Sequence, residues 1–134
     1  MTHIKSEKQV ITNTCEAIYD FLIDFNNFKS FAPPQVLNWQ SDCDNCSFSI
    51  EGMTQIELTK GTCTKPSQII YKSIGKSPLS FDLNINLSDF NGNCECQIIL
   101  SADLNPFLKV MAEKPLTNFV NMLVTKLKEQ KDLK

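Results

Sequence analysis

A chain of 134 residues, 42% apolar and 21% charged, carries enough material for one globular domain with its own hydrophobic core, which excludes both a disordered tail and a miniature held together by disulfides. Thirteen lysine and arginine residues stand against fifteen aspartate and glutamate residues, a net charge of −2, which is the wrong sign for an electrostatic nucleic-acid binder. A single domain over residues 1–134 is therefore expected, and no run approaches the roughly 18 uninterrupted apolar residues of a membrane span, so no stable membrane insertion is expected.

The first ten residues alternate polar and apolar and lack the apolar stretch of an export signal, so a cytoplasmic location is the default expectation. Residues 2–11 read as a weakly patterned first strand. Asn13 stands three residues before Glu16, close to a capping box, and Ile18, Phe21, Leu22 and Phe25 follow at helical spacing. That helix should end near residues 24–27. A second short helix carrying Phe28 and Phe31 should stop at Pro33-Pro34.

From residue 36 to 104 the period changes to two. Leu37 and Trp39, Phe48 and Ile50, Ile56 and Leu58 alternate with polar neighbours, as do Phe81, Leu83, Ile85 and Leu87, then Ile98, Leu100, Ala102 and Leu104. One apolar and one wet face mark an antiparallel sheet covered on one side. Turn residues at Asp44-Asn45, Gly52, Lys65-Pro66, 76–78 and Asn91-Gly92-Asn93 divide the run into six hairpin-linked strands, seven with the N-terminal one. Asn105-Pro106 supplies a cap and a first-turn proline for the last helix. Pro115 is expected to break or kink it, and beyond that point Leu116, Phe119, Val120, Leu123, Val124 and Leu127 form an apolar stripe. Lys126, Lys128, Lys131 and Lys134, interrupted by Glu129 and Asp132, read as a solvated helix end.

These elements predict an α+β fold: a seven-stranded curved antiparallel sheet, two short helices, and a long C-terminal helix that alone is long enough to cover the apolar face. A helix about 10 Å wide leaves room inside a bent sheet, and such room is expected to be mostly apolar with a few polar anchors.

The stretch Asn13-Thr14-Cys15-Glu16-Ala17-Ile18-Tyr19-Asp20-Phe21-Leu22-Ile23-Asp24-Phe25, with Asn27, Pro33-Pro34, Trp39, the Gly52 turn and Leu104-Asn105-Pro106-Phe107, resembles the SRPBCC or START-like helix-grip superfamily that includes the major birch pollen allergen. The resemblance spans nearly the whole chain and implies a helix-grip fold. It also implies a range of functions: lipid and polyketide binders, cyclases and dehydratases, hormone receptors, co-chaperones and quinone-binding proteins. Fold alone does not choose among them.

The cysteines are the most unusual feature. Cys43-Asp44-Asn45-Cys46 has the spacing of a zinc half-site, and Cys94-Glu95-Cys96 adds two thiols. If Asp44-Asn45 is a two-residue hairpin turn, Cys43 and Cys46 face one another on the apolar side. Cys94 and Cys96, in phase with Ile98 and Leu100, point inward at the same end of the sheet. The four are then core or rim thiols, a zinc site, or, for Cys43 and Cys46, a strained disulfide. Cys15 and Cys63 show no partner pattern. In a cytoplasmic chain, six cysteines read as thiols or metal ligands rather than a disulfide framework.

Acid–base chemistry has little to stand on. His3, the one histidine, is expected to be an exposed polar residue; Glu57 and Asp82 fall on the wet phase, and Glu113 faces solvent or the cavity mouth. No cofactor motif is visible. The leading expectation is binding or transport of a small hydrophobic ligand, such as a lipid, isoprenoid or polyketide, lined by Phe48, Ile50, Ile56, Leu58, Tyr71, Phe81, Leu83, Ile85, Leu100, Phe119, Val120 and Leu123. Tyr71 is read either as a polar anchor or as a core tyrosine. Phe107, Met111, Phe119 and Met122 are read as adaptable lining or as plain core. Two alternatives remain: a cyclase- or dehydratase-type enzyme, which needs an ionisable group inside, and a protein-interaction module whose interior is filled by side chains. A void of no more than a few waters favours the last. The protein partner itself is not legible.

Overall fold

The computed structural model describes residues 2–30, 36–50, 55–74 and 81–129, with the side chains of residues 29, 30, 50 and 108 excepted. The expectations for Phe31, Pro33-Pro34, the Ile50 side chain, the Gly52 and 76–78 turns, Lys131 and Lys134 lie outside the described residues.

The expected first strand is two strands, β1 (Thr2–Lys5) and β2 (Gln9–Ile11), both antiparallel to the strand that ends the sheet. Between them the register takes one extra residue, from Lys5 opposite Ile99 to Gln9 opposite Cys96. Buried Ser6 fills the break: its N–H donates to Ile98 O at 2.8 Å, and its Oγ accepts from Ile98 N at 2.9 Å in place of a backbone carbonyl.

Helix α1 spans Cys15–Leu22 and starts one residue later than the capping box suggested. Thr14 is the cap, its Oγ1 accepting from Ala17 N at 3.1 Å, while Asn13 Oδ1 accepts from Thr14 N at 2.8 Å. Ile18, Phe21 and Leu22 are buried as their spacing required. The second short helix is a 3₁₀ segment, Phe25–Ser30, which buries Phe25 and Phe28.

Six strands follow: β3 (Val36–Ser41), β4 (Asn45–Ile50), β5 (Gln55–Thr64), β6 (Gln68–Ile74), β7 (Phe81–Phe90) and β8 (Asn93–Ala102). Every pairing is antiparallel, in the order β1-β8-β7-β6-β5-β4-β3, with β2 also on β8. One extra residue enters β3 between Leu37 and Gln40, where Asn38 adopts φ 57°, and another enters β5 between Lys60 and Cys63. Such bulges bend the strand that carries them, and here they curve the sheet. Gly61 sits inside the β5 bulge, where a Cβ would lie 3.0 Å from Ile70 O. Asn91-Gly92, at φ 52° and 86°, closes the β7–β8 hairpin with Asn93 already on β8.

Helix α2 runs unbroken over Pro106–Glu129. Asn105 O accepts from Lys109 N at 2.9 Å, as its place before Pro106 required. Pro115 does not end the helix; the missing N–H is tolerated in a helix whose following stripe, Leu116, Phe119, Val120, Leu123, Val124 and Leu127, is wholly buried on the sheet. The architecture is α+β, a curved antiparallel sheet gripping a long C-terminal helix.

The register fixes two unlike ends. The β3–β4, β5–β6 and β7–β8 turns and the start of α1 lie at one end. The other end holds the starts of β3, β5 and β7, the ends of β4 and β6, and the first turns of α2. At the first end Lys65 ties the β5–β6 turn to α1 by an ion pair with Asp20 at 3.0 Å.

Candidate functional site

The inward faces of β4–β8 meet α2 in a seam, and the seam is where a ligand-binding site was expected. Of the twelve residues expected to line it, the eleven with described side chains, Phe48, Ile56, Leu58, Tyr71, Phe81, Leu83, Ile85, Leu100, Phe119, Val120 and Leu123, are at most 2% exposed, and Phe48, Leu58, Leu83, Phe119 and Leu123 border the void there. The period-two reading of the strands thus identified buried faces.

What the seam holds differs from the expectation of a roomy cup. The enclosed void among the described residues is about 10 Å³, bounded by Phe25, Phe28, Trp39, Phe48, Phe119 and four aliphatic neighbours with Cys46. That is near the lower limit for a single water, and no polar atom faces it. Aromatic rings take the space. Phe25 lies 4.4 Å from Tyr71, Phe28 stands edge-on to Tyr71 at 5.4 Å, and Phe28, Trp39, Phe48 and Phe119 continue as stacked rings 5.3 to 6.1 Å apart. Offset and tilted contacts at these distances are favourable beyond area burial. Phe25, Phe28 and Trp39 were not among the expected lining residues. For Phe25 and Phe28 the signal was the aromatic spacing before β3, which strand periodicity does not read, whereas Trp39 sits on β3 itself, in the alternating run.

Tyr71 is a core residue. It is fully buried, and its hydroxyl donates to Leu22 O, the carbonyl left open at the end of α1. Burial holds its pKa well above the usual tyrosine value. Tyr71→Phe should cost about 1–3 kcal/mol by leaving that carbonyl unpartnered; urea unfolding of the two proteins measures the difference, and a change near zero would assign the hydroxyl no structural role.

The exposed apolar surface concentrates at the opposite end from α1. Phe107, Val110 and Met111, on the first turns of α2, are 72%, 83% and 62% exposed. Phe107 and Met111 therefore face solvent and do not line the seam, whereas Phe119 is buried and Met122 half-buried. The buried stripe of α2 starts at Ala112.

The thiols regroup. Asp42 Oδ1 accepts from the N–H groups of Asp44 and Asn45, both at 2.8 Å, so the β3–β4 connection is residues 42–44, closed by an aspartate, rather than a two-residue Asp44-Asn45 turn. These bonds hold the Asp42 carboxyl below its usual pKa. Cys46 consequently faces Ser41, and Cys43 is exposed in the loop rather than inward and opposite Cys46. Cys46 lies on β4 and Cys94 and Cys96 on β8, with three strands between them at about 4.8 Å per step. No group of three metal-ligating side chains gathers among the described residues. All six cysteines are free. The unexpected contact joins Cys15, at the first position of α1, to Cys94, with their sulfurs 2.7 Å apart. The pairing of Ile11 with Cys94 brings them together, a register invisible in spacing alone.

The histidine and the carboxylates singled out in the sequence stay outside. His3 is exposed and bonded to Ser101 Oγ at 2.8 Å, Glu57 and Glu113 are exposed, and Asp82 is half-exposed on the wet face. Lys128 in the last turn of α2 reaches Gln9 Oε1 at 3.3 Å.

No family model and no curated protein matches the chain. Solved structures do. The chain is similar to the KanY protein, with TM-score 0.80 and 10% identity over 96% of this chain and 95% of that one. A START superfamily protein from Mycobacterium smegmatis matches with TM-score 0.74 and 10% identity over 94% of each chain. The Aha1 dimer of Colwellia psychrerythraea matches with TM-score 0.66 and 16% identity over 98% of this chain and 100% of that one. The chain has the START-like, or SRPBCC, helix-grip fold that its sequence resembles. No helix among the described residues is long and apolar enough to cross a membrane.

Proposed function

We propose that the chain is a binding module for a small apolar molecule of lipid, isoprenoid or polyketide type, taken up between α2 and the sheet from the end where α2 begins. One observation carries this reading. No polar atom faces the void in the seam, and the helix that closes it carries Phe107, Val110 and Met111 exposed on its first turns. Exposed apolar side chains grouped on the helix that closes an apolar seam supply a landing surface for a guest that avoids water. With about 10 Å³ free, the described state is closed, so uptake needs the Phe28, Trp39 and Phe48 rings to move aside. Burial of the guest supplies the affinity at about 25 cal/mol per Å² before entropic costs. The START-like fold supports a ligand-binding role and does not name the ligand.

Native mass spectrometry of protein purified from its own host tests the proposal. The expected result is an organic adduct released on denaturation, and rebinding of the released compound that is weakened by Phe107→Ser and Met111→Ser. Absence of any adduct, together with no binding of fatty acids or polyprenols, would sink it.

The small void favours a second reading, an interaction module with a filled interior. It predicts that the same two substitutions abolish co-purification of a protein while uptake of an apolar dye stays unchanged.

A further inference from the structure

We propose that Cys15 and Cys94 are a reversible redox pair, joined by a hydroperoxide and reopened by a dithiol. The inference is independent of the apolar-ligand reading. It stands on the geometry of two chain segments. β2 pairs with β8 so that Ile11 faces Cys94, the chain reverses through 12–14, and the Thr14 cap starts α1 with Cys15 over the same strand position. The sulfurs stand 2.7 Å apart, against an S–S bond length of about 2.05 Å.

The two thiols are unequal in the way such a pair requires. Cys15 is half-buried and the one that a dissolved oxidant reaches, whereas Cys94 is fully buried. Burial also raises the Cys94 pKa far above the ordinary thiol value, which makes it a poor first nucleophile. The Cys15 sulfur therefore attacks one peroxide oxygen. The O–O bond breaks, the other oxygen leaves as an alcohol after taking a proton, and Cys15 becomes a sulfenic acid. The Cys94 sulfur then attacks the Cys15 sulfur; the S–S bond forms, the S–O bond breaks, and the departing hydroxide takes the Cys94 proton as water. The two thiols lose two electrons and two protons, and the hydroperoxide is reduced to alcohol and water. A dithiol reverses the change by exchange and leaves as its own disulfide.

The neighbouring thiols are placed less well. Cys43 is exposed in the β3–β4 loop, and Cys46 lies on β4, across the sheet from β8. Cys96 is buried on the same face of β8, two residues beyond Cys94. A Cys15–Cys94 bond spans 79 positions of chain and pins the start of α1 to the sheet. Helix α1 ends at the Leu22 carbonyl held by Tyr71 and leads into Phe25 and Phe28, so the bond stiffens one wall of the seam.

The reduced full-length chain treated with tert-butyl hydroperoxide should lose the mass of two hydrogens. Digestion without reductant should yield one peptide pair linking residues 15 and 94. The melting temperature should rise by on the order of 10 °C, as expected for closing so long a loop, and dithiothreitol should restore the starting values. Cys15→Ser should abolish the mass loss, and Cys43→Ser should leave it intact. Cys94→Val serves as a second block; if it does not fold, Cys15→Ser decides. Oxygen added to Cys15 without a cross-link, a Cys15–Cys96 link, a Cys43-linked dimer as the sole product, or an unchanged melting temperature would each overturn the proposal.

Discussion

Above pH 9 the protein should lose stability steeply, because three thiols are buried without a charge partner. Burial pushes Cys46 and Cys96 up to about 12 from the ordinary 9.0, and Cys94 higher still. The direction follows from proton counting. A thiol whose pKa is raised in the folded state keeps its proton there, while in the unfolded chain it ionises above about pH 9. The unfolded state then binds fewer protons, so stability is fully present below pH 9 and falls as pH rises toward 12. Each thiol contributes a slope of about 1.4 kcal/mol per pH unit, and three together consume a typical stability of about 5–15 kcal/mol within a few units. Urea unfolding between pH 8 and 10.5 under reductant gives the slope directly. Cys46→Ala and Cys96→Ala should each remove about a third of it whatever they do to stability at pH 7. A curve flat across that range would contradict the burial of these sulfurs.

Phe48→Ala should cost about 3–5 kcal/mol. The ring is 2% exposed, stacked between Trp39 at 5.3 Å and Phe119 at 6.1 Å, and joins the β4 side of the sheet to α2. Its removal also enlarges the void in the seam, with no polar atom facing the hole. A dry apolar cavity of that kind accepts a benzene-sized guest. The variant should therefore unfold at lower denaturant and recover part of the loss in saturating benzene or indole, while the parent protein gains little. A cost below about 1 kcal/mol would mean that the rings do not pack as described.

The fold was legible in the sequence because each element carries a period that burial enforces. Phe81, Leu83, Ile85 and Leu87 had to share a face, as did Leu116, Val120 and Leu127, and Asn105-Pro106 fixed the start of α2 to the residue. The errors came where a single residue changes the register. The inserted residue at Asn38 puts Val36 and Trp39 on the inner side and leaves Leu37 44% exposed. Asp42 closes a longer loop than Asp44-Asn45 suggested, and the parity that aimed Cys43 inward failed with it. The site was less legible than the fold. Inward direction follows from alternation, but whether the inward side chains leave a hole depends on how six aromatic rings nest, and that depends on three-dimensional shape. Tyr71 shows the same limit: its burial followed from its neighbours, but its partner at Leu22, 49 positions away, did not.

The inserted residues have a consequence beyond curvature. Among the described residues the sheet is open, with β3 as one margin and β1 and β2 as the other, and unpaired strand margins invite a further strand from another molecule. Each margin carries one residue too many, at Asn38 on one side and beside Ser6 on the other. An incoming strand could match only a few residues before falling out of step. A protein rich in β-structure thereby gains protection against fibrous self-assembly from the two interruptions at its margins.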